Sequence, residues 1–205
     1  VTVARKLIRR KFFGAHPLAI DSHGTEEGTK AVTPALLRAL HRQLLVAGNC
    51  VLAATGDFEP RTLAPKLKAF LRRLPKGAAP AAGPAFAGPQ AGVHEEIQPR
   101  QQAVVFQAYP CPGIRGAEHF ISEVADEVFS GMASHLFERV REQKGLAYFV
   151  RSSRVLAVDT GLFGFYAGTA PDKAREVLDE IEAEIRRVQE GGIAPEELLR
   201  CQTRL

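Results

Sequence analysis

Apolar positions in this chain follow two spacings in alternating blocks, one helical and one strand-like. Over residues 33–48, Leu36, Leu37, Leu40, Leu44 and Leu45 fall on one helical face. Thr33 is a good N-cap, Pro34 suits the first helical position, and Gly48-Asn49 stops the run. Residues 51–55 are short, apolar and bounded by Gly56-Asp57, which predicts a buried strand. Leu63, Leu67, Phe70 and Leu74 form the next helical stripe. Pro65 places the start of that helix near Thr62, because a proline in the first turn loses no internal hydrogen bond.

The stretch PKGAAPAAGPAFAGPQAG, residues 75–92, is nearly all Pro, Gly and Ala. It offers neither a core stripe nor a strand ladder, so it reads as a linker. The expected organisation is a first part at 1–75, a linker region at 76–95 and a second part at 96–205. In the second part, residues 102–109 alternate like a strand that ends at Pro110-Cys111-Pro112-Gly113. Residues 117–130 predict a helix with Phe120, Ile121, Val124, Ala125, Val128 and Phe129 on its inner face, followed by a short helix at 133–142. Residues 146–155 and 161–169 read as paired strands with a turn near Asp159. The clearest helix is 171–190. Pro171 opens it, Ala174, Val177, Leu178, Ile181, Ile185 and Val188 form its stripe, and Gly191-Gly192 ends it. Ala194-Pro195-Glu196-Glu197 opens a last helix that runs to Leu205. A helix that stops so soon, and a first residue other than Met, lead to the expectation of a piece of a longer protein. Strands and helices without strict βαβ alternation predict an α+β fold with mostly antiparallel sheets.

Composition agrees with a packed fold. Hydrophobic residues make up 45% and charged residues 24% of the 205. No apolar run approaches the ~18 residues that span a bilayer. The opening VTVARKLIRRKFF is basic, but it lacks the apolar core and cleavage site of a signal peptide. The net charge of +4 raises the question of nucleic acid. The basic residues are interspersed with acids, as in KAREVLDEIEAEIRR, and no aromatics interleave with a basic run. That pattern is a solvated mixed-charge surface rather than a nucleic-acid face. Three cysteines, Cys50, Cys111 and Cys201, form neither a disulfide framework nor a zinc knuckle. Cys50, in NCVLAATG, reads as a small core residue. Unpaired cysteines favour a reducing compartment such as the cytoplasm, without excluding the periplasm.

Metal chemistry needs ligands that share a face. None of His16, His23, His41, His94, His119 and His135 pairs with another at i, i+4. His23-Gly24-Thr25-Glu26 is the first half of a His-x-x-Glu-His motif, but Glu27 stands where the second His is needed. Glu118-His119 is the second half, but Arg115 occupies the first His position, and a guanidinium is no metal ligand. No Gly-x-Ser-x-Gly elbow, Walker loop or dinucleotide fingerprint occurs. The remaining candidate is SGMASHLFERVREQKGLAYFV, residues 130–150. It reads as a short helix with Leu136, Phe137 and Val140 inward, turning at Lys144-Gly145 into a strand. Folded back on itself, it offers the Arg141 guanidinium and the Tyr148 phenol as two donors for a carbonyl or oxyanion. The alternative is structural: Arg141 closes the helix end and Tyr148 is an amphipathic strand residue.

REQKGLAY resembles the Arg…Gly-Leu-Ala-Tyr signature in the second half of the pitrilysin/insulinase-type zinc peptidases, with Arg141 and Tyr148 at the family's spacing. SGMASHLFERV resembles that family's Ser-Arg-Leu-Phe helix, except that His135 replaces the usual Arg, which puts a structural contact in doubt. FFGAHPLAIDSHGTEEGTKAVTPALL and NCVLAATGDFEPRTLAPKLKAFLRRLP are similar to the segments that leave and close the family's catalytic half. The resemblance implies two similar α+β halves, with Zn2+ bound by a His-x-x-Glu-His motif and a downstream Glu, all lying before Val1. It implies no cofactor in this chain itself. Arg141 and Tyr148 would grip an extended peptide substrate and assist the transition state. The partners implied are that peptide, the zinc-binding half, and a homo- or heterodimeric copy. The competing implication is a non-catalytic member that serves as a binding or assembly subunit.

Overall fold

The computed structural model describes residues 1–81 and 83–205; Ala82, inside the predicted linker, lies outside the described residues. In chain order the elements are α1 (Thr2–Phe13), a 3-10 turn (Pro17–Ala19), α2 (Glu26–Lys30), α3 (Pro34–Leu44) and α4 (Pro60–Leu71). Then come β1 (Ala103–Pro112), α5 (Glu118–Ser130), α6 (His135–Phe137) and a π-helical segment (Glu138–Gln143). The chain continues through β2 (Ala147–Leu156), β3 (Thr160–Thr169), a 3-10 turn (Pro171–Lys173), α7 (Ala174–Gly191) and α8 (Pro195–Arg204). These form two compact units, one of residues 22–84 and one of residues 1–21 with 85–205.

The smaller unit is helical. Thr33 caps α3 as expected, its hydroxyl accepting from Leu36 N–H at 3.2 Å. The α3 exit is tied to the α4 exit by Ala47 N–H to Pro75 O at 2.9 Å and Gly48 N–H to Gly77 O at 3.0 Å. Helix α4 starts at Pro60 rather than near Thr62, with Glu59 as its N-cap. Pro65 therefore sits in the second turn, where it forfeits one backbone bond. The strand expected at 51–55 is also corrected. That segment has no ladder partner among the described residues, and Val51 is 98% exposed. An apolar run becomes a strand only where another strand can satisfy its backbone groups. Cys50 is half-buried rather than a core residue.

The larger unit is built on a three-stranded antiparallel sheet in the order β1-β3-β2. This is the expected α+β, antiparallel class. Against one face pack α5, α6, the π segment and α7, enclosing Leu136, Val140, Val150, Phe165, Ala167, Val177 and Ile181. Against the other face lies α1, whose Phe12 and Phe13 join Leu162, Phe106, Val155 and Phe86. The basic opening of the chain is thus an amphipathic helix. Its Phe pair faces the sheet, and the Arg5 guanidinium stands 4.7 Å from the Tyr166 ring centre. Hydrophobic periodicity had assigned this segment no element.

Helix α5 keeps its expected inner face at Val128 and Phe129, which are buried, but departs from it at its N-terminal end. Phe120 and Ile121 are 61% and 69% exposed. The reason is a polar contact line between α5 and β2. Ser152 Oγ donates to Asp126 Oδ1 at 2.6 Å, and Arg154 donates to Ser122 Oγ at 3.0 Å and to His119 O at 3.2 Å. Ser122, Asp126 and Phe129 follow i, i+4, i+7 spacing, so they turn to the sheet together and send Phe120 and Ile121 to solvent.

Charged residues also enter the apolar stripe of α7. Glu180 and Glu184 are 8% and 1% exposed. Glu180 accepts from Lys144 Nζ at 2.6 Å, and the Arg139 guanidinium stands 2.6 Å from its other oxygen, off the hydrogen-bond direction. Glu184 accepts from Arg187 at 2.8 Å and faces His135 Nδ1 at 2.7 Å. His135 thus makes a carboxylate contact at the position where a structural contact was in doubt. Three residues of the α6–π segment (His135, Arg139 and Lys144 at its exit) are anchored on two carboxylates of one helix.

Two measurements check this architecture. Ile181, fully buried, and Ile121, mostly exposed, were both expected inside on sequence pattern. Ile181→Ala is expected to lower the stability of the chain by roughly 2–5 kcal/mol, and Ile121→Ala by less than about 0.5 kcal/mol, in urea unfolding. Equal effects would contradict the orientation of α5. Burial opposes ionisation of Glu180, but the Lys144 hydrogen bond and the charges of Arg139 and Lys144 outweigh it and hold the carboxyl below its usual range. Its stabilisation is therefore complete above the unfolded value of about 4.3 and is lost as pH falls from there through the lower folded value. The stability gap between the wild type and Glu180→Gln should narrow as pH falls through that window. A gap that stays constant there would mean that Glu180 is not ionised by its partners.

Candidate functional site

The chemistry-bearing segment runs from α6 into β2, and three local irregularities shape it. The first is the π segment, closed by Lys144 N–H to Arg139 O at 3.1 Å, an i to i−5 bond. A π turn carries one more residue per turn than the α-helix and is common at functional sites. Arg141 lies in it. Its guanidinium sits 5.0 Å from the Phe137 ring centre and 3.6 Å from Glu142 Oε1, and its side chain is 47% exposed.

The second irregularity is Gly145, at φ 58°. This left-handed conformation reverses the chain from helix to strand, and it favours glycine because a Cβ strains there. No heavy atom lies within 4 Å of a Cβ built at Gly145, so the constraint is the dihedral and not space. Beyond it, Leu146 is buried and its carbonyl accepts from Thr169 Oγ1 at 2.6 Å. Thr169 is fully buried, which fixes the corner to the end of β3.

The third irregularity is a bulge in β2. Ala147 pairs with Thr169 and Phe149 with Gly168, so Tyr148 is the extra residue in the ladder. Ala147 and Val150 both enter the same core, which regular alternation forbids. The bulge resets the phase of the strand and aims Tyr148 outward. Phe149 then lies over Gly168, where any side chain would meet its ring. Tyr148 is 66% exposed.

Tyr148 lines a shallow cleft of about 240 Å³ together with Gly145, Leu146, Ala147, Ala170 and Lys173. Arg141 and Tyr148 share neither a hydrogen bond nor a cation–π contact among the described residues. Each faces solvent with its donor groups uncommitted to a buried partner. A guanidinium and a phenol so placed can donate to an oxygen of a bound molecule.

Among the described residues no group of three or more His, Cys, Asp or Glu is placed to hold a metal ion. His119 Nδ1 lies 2.8 Å from Gly116 O, with its ring against Phe120, and His16 Nδ1 accepts from Leu18 N–H. Cys111 and Cys201 are buried and free, and burial pushes the Cys201 thiol up. No described helix is long and apolar enough to cross a membrane.

Arg141 and Tyr148 lie on the expected helix–turn–strand, and Tyr148 but not Arg141 lines the cleft. The sequence reading did not single out Glu180, Glu184 or Lys173. A sequence trace of the first two existed, since both fall on the Val177/Ile181 face of α7, where a charge must find a partner. Lys173 left none.

The sequence profile "Peptidase M16 inactive domain" matches residues 31–205. An uncharacterised zinc protease of Streptomyces coelicolor is 28% identical over 95% of this chain and 44% of its own length. An uncharacterised zinc protease of Bacillus subtilis is 27% identical over 96% of this chain and 48% of its own length. The chain thus spans about half the length of these relatives. The crystal structure of a peptidase M16 inactive domain from Pseudomonas fluorescens superposes with a TM-score of 0.89 at 25% identity, covering 98% of this chain and 50% of that one. With this match over most of its length, the chain belongs to the pitrilysin/insulinase, or M16, peptidase family, within its inactive domain.

Proposed function

We propose that this chain is the substrate-gripping part of a zinc-dependent metalloendopeptidase that hydrolyses peptides in an enclosed chamber. In this reading residues 1–75 close the catalytic-type half, 76–95 link, and 96–205 form most of the second half. Zn2+ belongs to a His-x-x-Glu-His site on the partner half upstream of Val1. The observation that supports the reading best is the placement of Tyr148. A bulge takes it out of the β2 ladder and exposes it at a cleft, which a residue serving only to fill the sheet does not require. That the relatives are named zinc proteases supports the peptidase reading.

The role of the chain follows from its donors. A peptide carbonyl carries partial negative charge that grows as the bond is attacked. The Tyr148 hydroxyl and the Arg141 fork are both donors, and neither has to break a buried bond to reach that oxygen. Donors held in place before the reaction lower the barrier because they need no reorganisation during it. Arg141 also has the planar fork that holds a carbonyl or carboxylate in one orientation.

In the full-length protein, Tyr148→Phe is expected to cut kcat by roughly 100- to 1000-fold, the usual effect of losing one oxyanion donor. Zinc content measured on the same sample should stay stoichiometric. Unchanged turnover would make Tyr148 a structural residue. The chain alone should carry no stoichiometric zinc, and one tightly bound ion per chain by metal analysis would overturn the division of labour. An intact His-x-x-Glu-His upstream of Val1 eliminates the competing role as a non-catalytic assembly subunit.

A further inference from the structure

The cleft beside Tyr148 has a composition that the grip on the peptide bond does not use. Gly145, Ala147 and Ala170 give it small walls, Leu146 an apolar one, and Lys173 its single charged group. Of the neighbouring cations, Lys144 and Arg139 are paired with Glu180, and Arg141 is not part of the recess lining. Lys173 has no hydrogen-bonded or ion-paired side-chain partner among the described residues, and its side chain is exposed. Its backbone, by contrast, is fixed. Lys173 N–H donates to Ala170 O at 3.0 Å in the 3-10 turn, and that turn follows the buried Thr169. The arrangement is an unpaired ammonium on a fixed stretch of backbone at the edge of a small-walled recess, with a phenol on the same lining.

We propose that this recess is a subsite for a carboxylate of the bound peptide, with Lys173 as its specificity-determining residue. The proposal rests on the reading of Tyr148 as a peptide contact. A carboxylate on one or two methylenes, as in Asp or Glu, or at a chain end, fits small walls and meets three ammonium donors. A basic peptide residue would meet like charge there, and like-charge juxtaposition rejects substrates as effectively as attraction selects them. Because Tyr148 and Lys173 line one recess, the selected carboxylate lies within a few residues of the cleaved bond. The ion pair is open to solvent, so its effect is modest and falls as salt rises.

The test uses the full-length protein and quenched peptides that differ at one position, carrying Glu, Gln or Lys, with the chain end either free or amidated. The readout is the ratio of kcat/KM values for two peptides on the same enzyme, which a general loss of activity does not move. The wild type should prefer Glu over Gln at one position, or a free over an amidated end, by up to about fivefold. The first result identifies a side-chain carboxylate and the second a terminal one. Lys173→Ala should abolish that ratio, Lys173→Arg should keep it, and Lys173→Glu should turn it in favour of Lys. No preference at any position, or a preference that survives Lys173→Glu, overturns the proposal. If Tyr148→Phe still lowers turnover in that case, the peptide-gripping reading stands without the subsite. If Tyr148→Phe has no effect, that reading fails by itself.

Discussion

Glu180 and Glu184 are buried on the same side of α7, and the placement of the whole α6–β2 segment depends on what neutralises them. A buried, unpaired carboxylate costs several kcal/mol, so these two must be met by cations or donors. Arg139, Lys144 and His135 meet them from the neighbouring segment, and Arg187 from α7 itself. Such pairs contribute little net stability compared with apolar residues of the same size. What they supply is position. Each side chain of the segment that reaches α7 fixes one point of the segment. Arg141 lies between two of those points in the chain without being one of them, so its guanidinium stays available.

The same segment departs from regular structure at three successive places. A π turn holds Arg141, a left-handed glycine follows at 145, and a bulge displaces Tyr148. Each departure disturbs the regular backbone pattern, and each is held by a buried neighbour. Val140, fully buried, anchors the π turn; Thr169 holds the carbonyl of Leu146; and Ala147 and Val150 hold the strand on both sides of the bulge. An irregularity clamped at both ends is reproducible, unlike a mobile loop. The donor role proposed for Arg141 and Tyr148 needs that reproducibility, within about half an ångström.

Helix periodicity carried much of the fold from sequence. The Val177/Ile181 stripe, the Thr33 cap and the β2–β3 hairpin follow from local spacing and local chemistry. Where partners decide the outcome, the sequence was silent. Residues 51–55 have the apolar content of a strand but no ladder beside them, and Ile121 has the spacing of a core residue but loses its place to Ser122 and Asp126. Both failures have one cause: periodicity describes a face and cannot name what it faces. The bulge at Tyr148 was hidden for the same reason, because a ladder slip is a property of two strands. GLAY shows a turn and a strand start, while the extra residue is visible only opposite Thr169 and Gly168.

His135 shows how far the segment tolerates change. An arginine at this position would offer Glu184 a permanent charge and a planar fork, whereas the imidazole presents a single ring nitrogen, Nδ1, to the carboxylate. The contact to Glu184 persists at 2.7 Å because Arg187, one turn along α7, already holds both oxygens of the carboxylate at 2.8 and 3.1 Å. The buried charge is thus neutralised from within α7, and the α6 contact serves mainly to orient. Glu180 has no such internal partner. Arg139 and Lys144 both come from the π turn and its exit, so neutralising Glu180 and positioning Arg141 are one event. Substitution is therefore tolerable where the helix supplies its own counter-charge and constrained where the π segment must supply it.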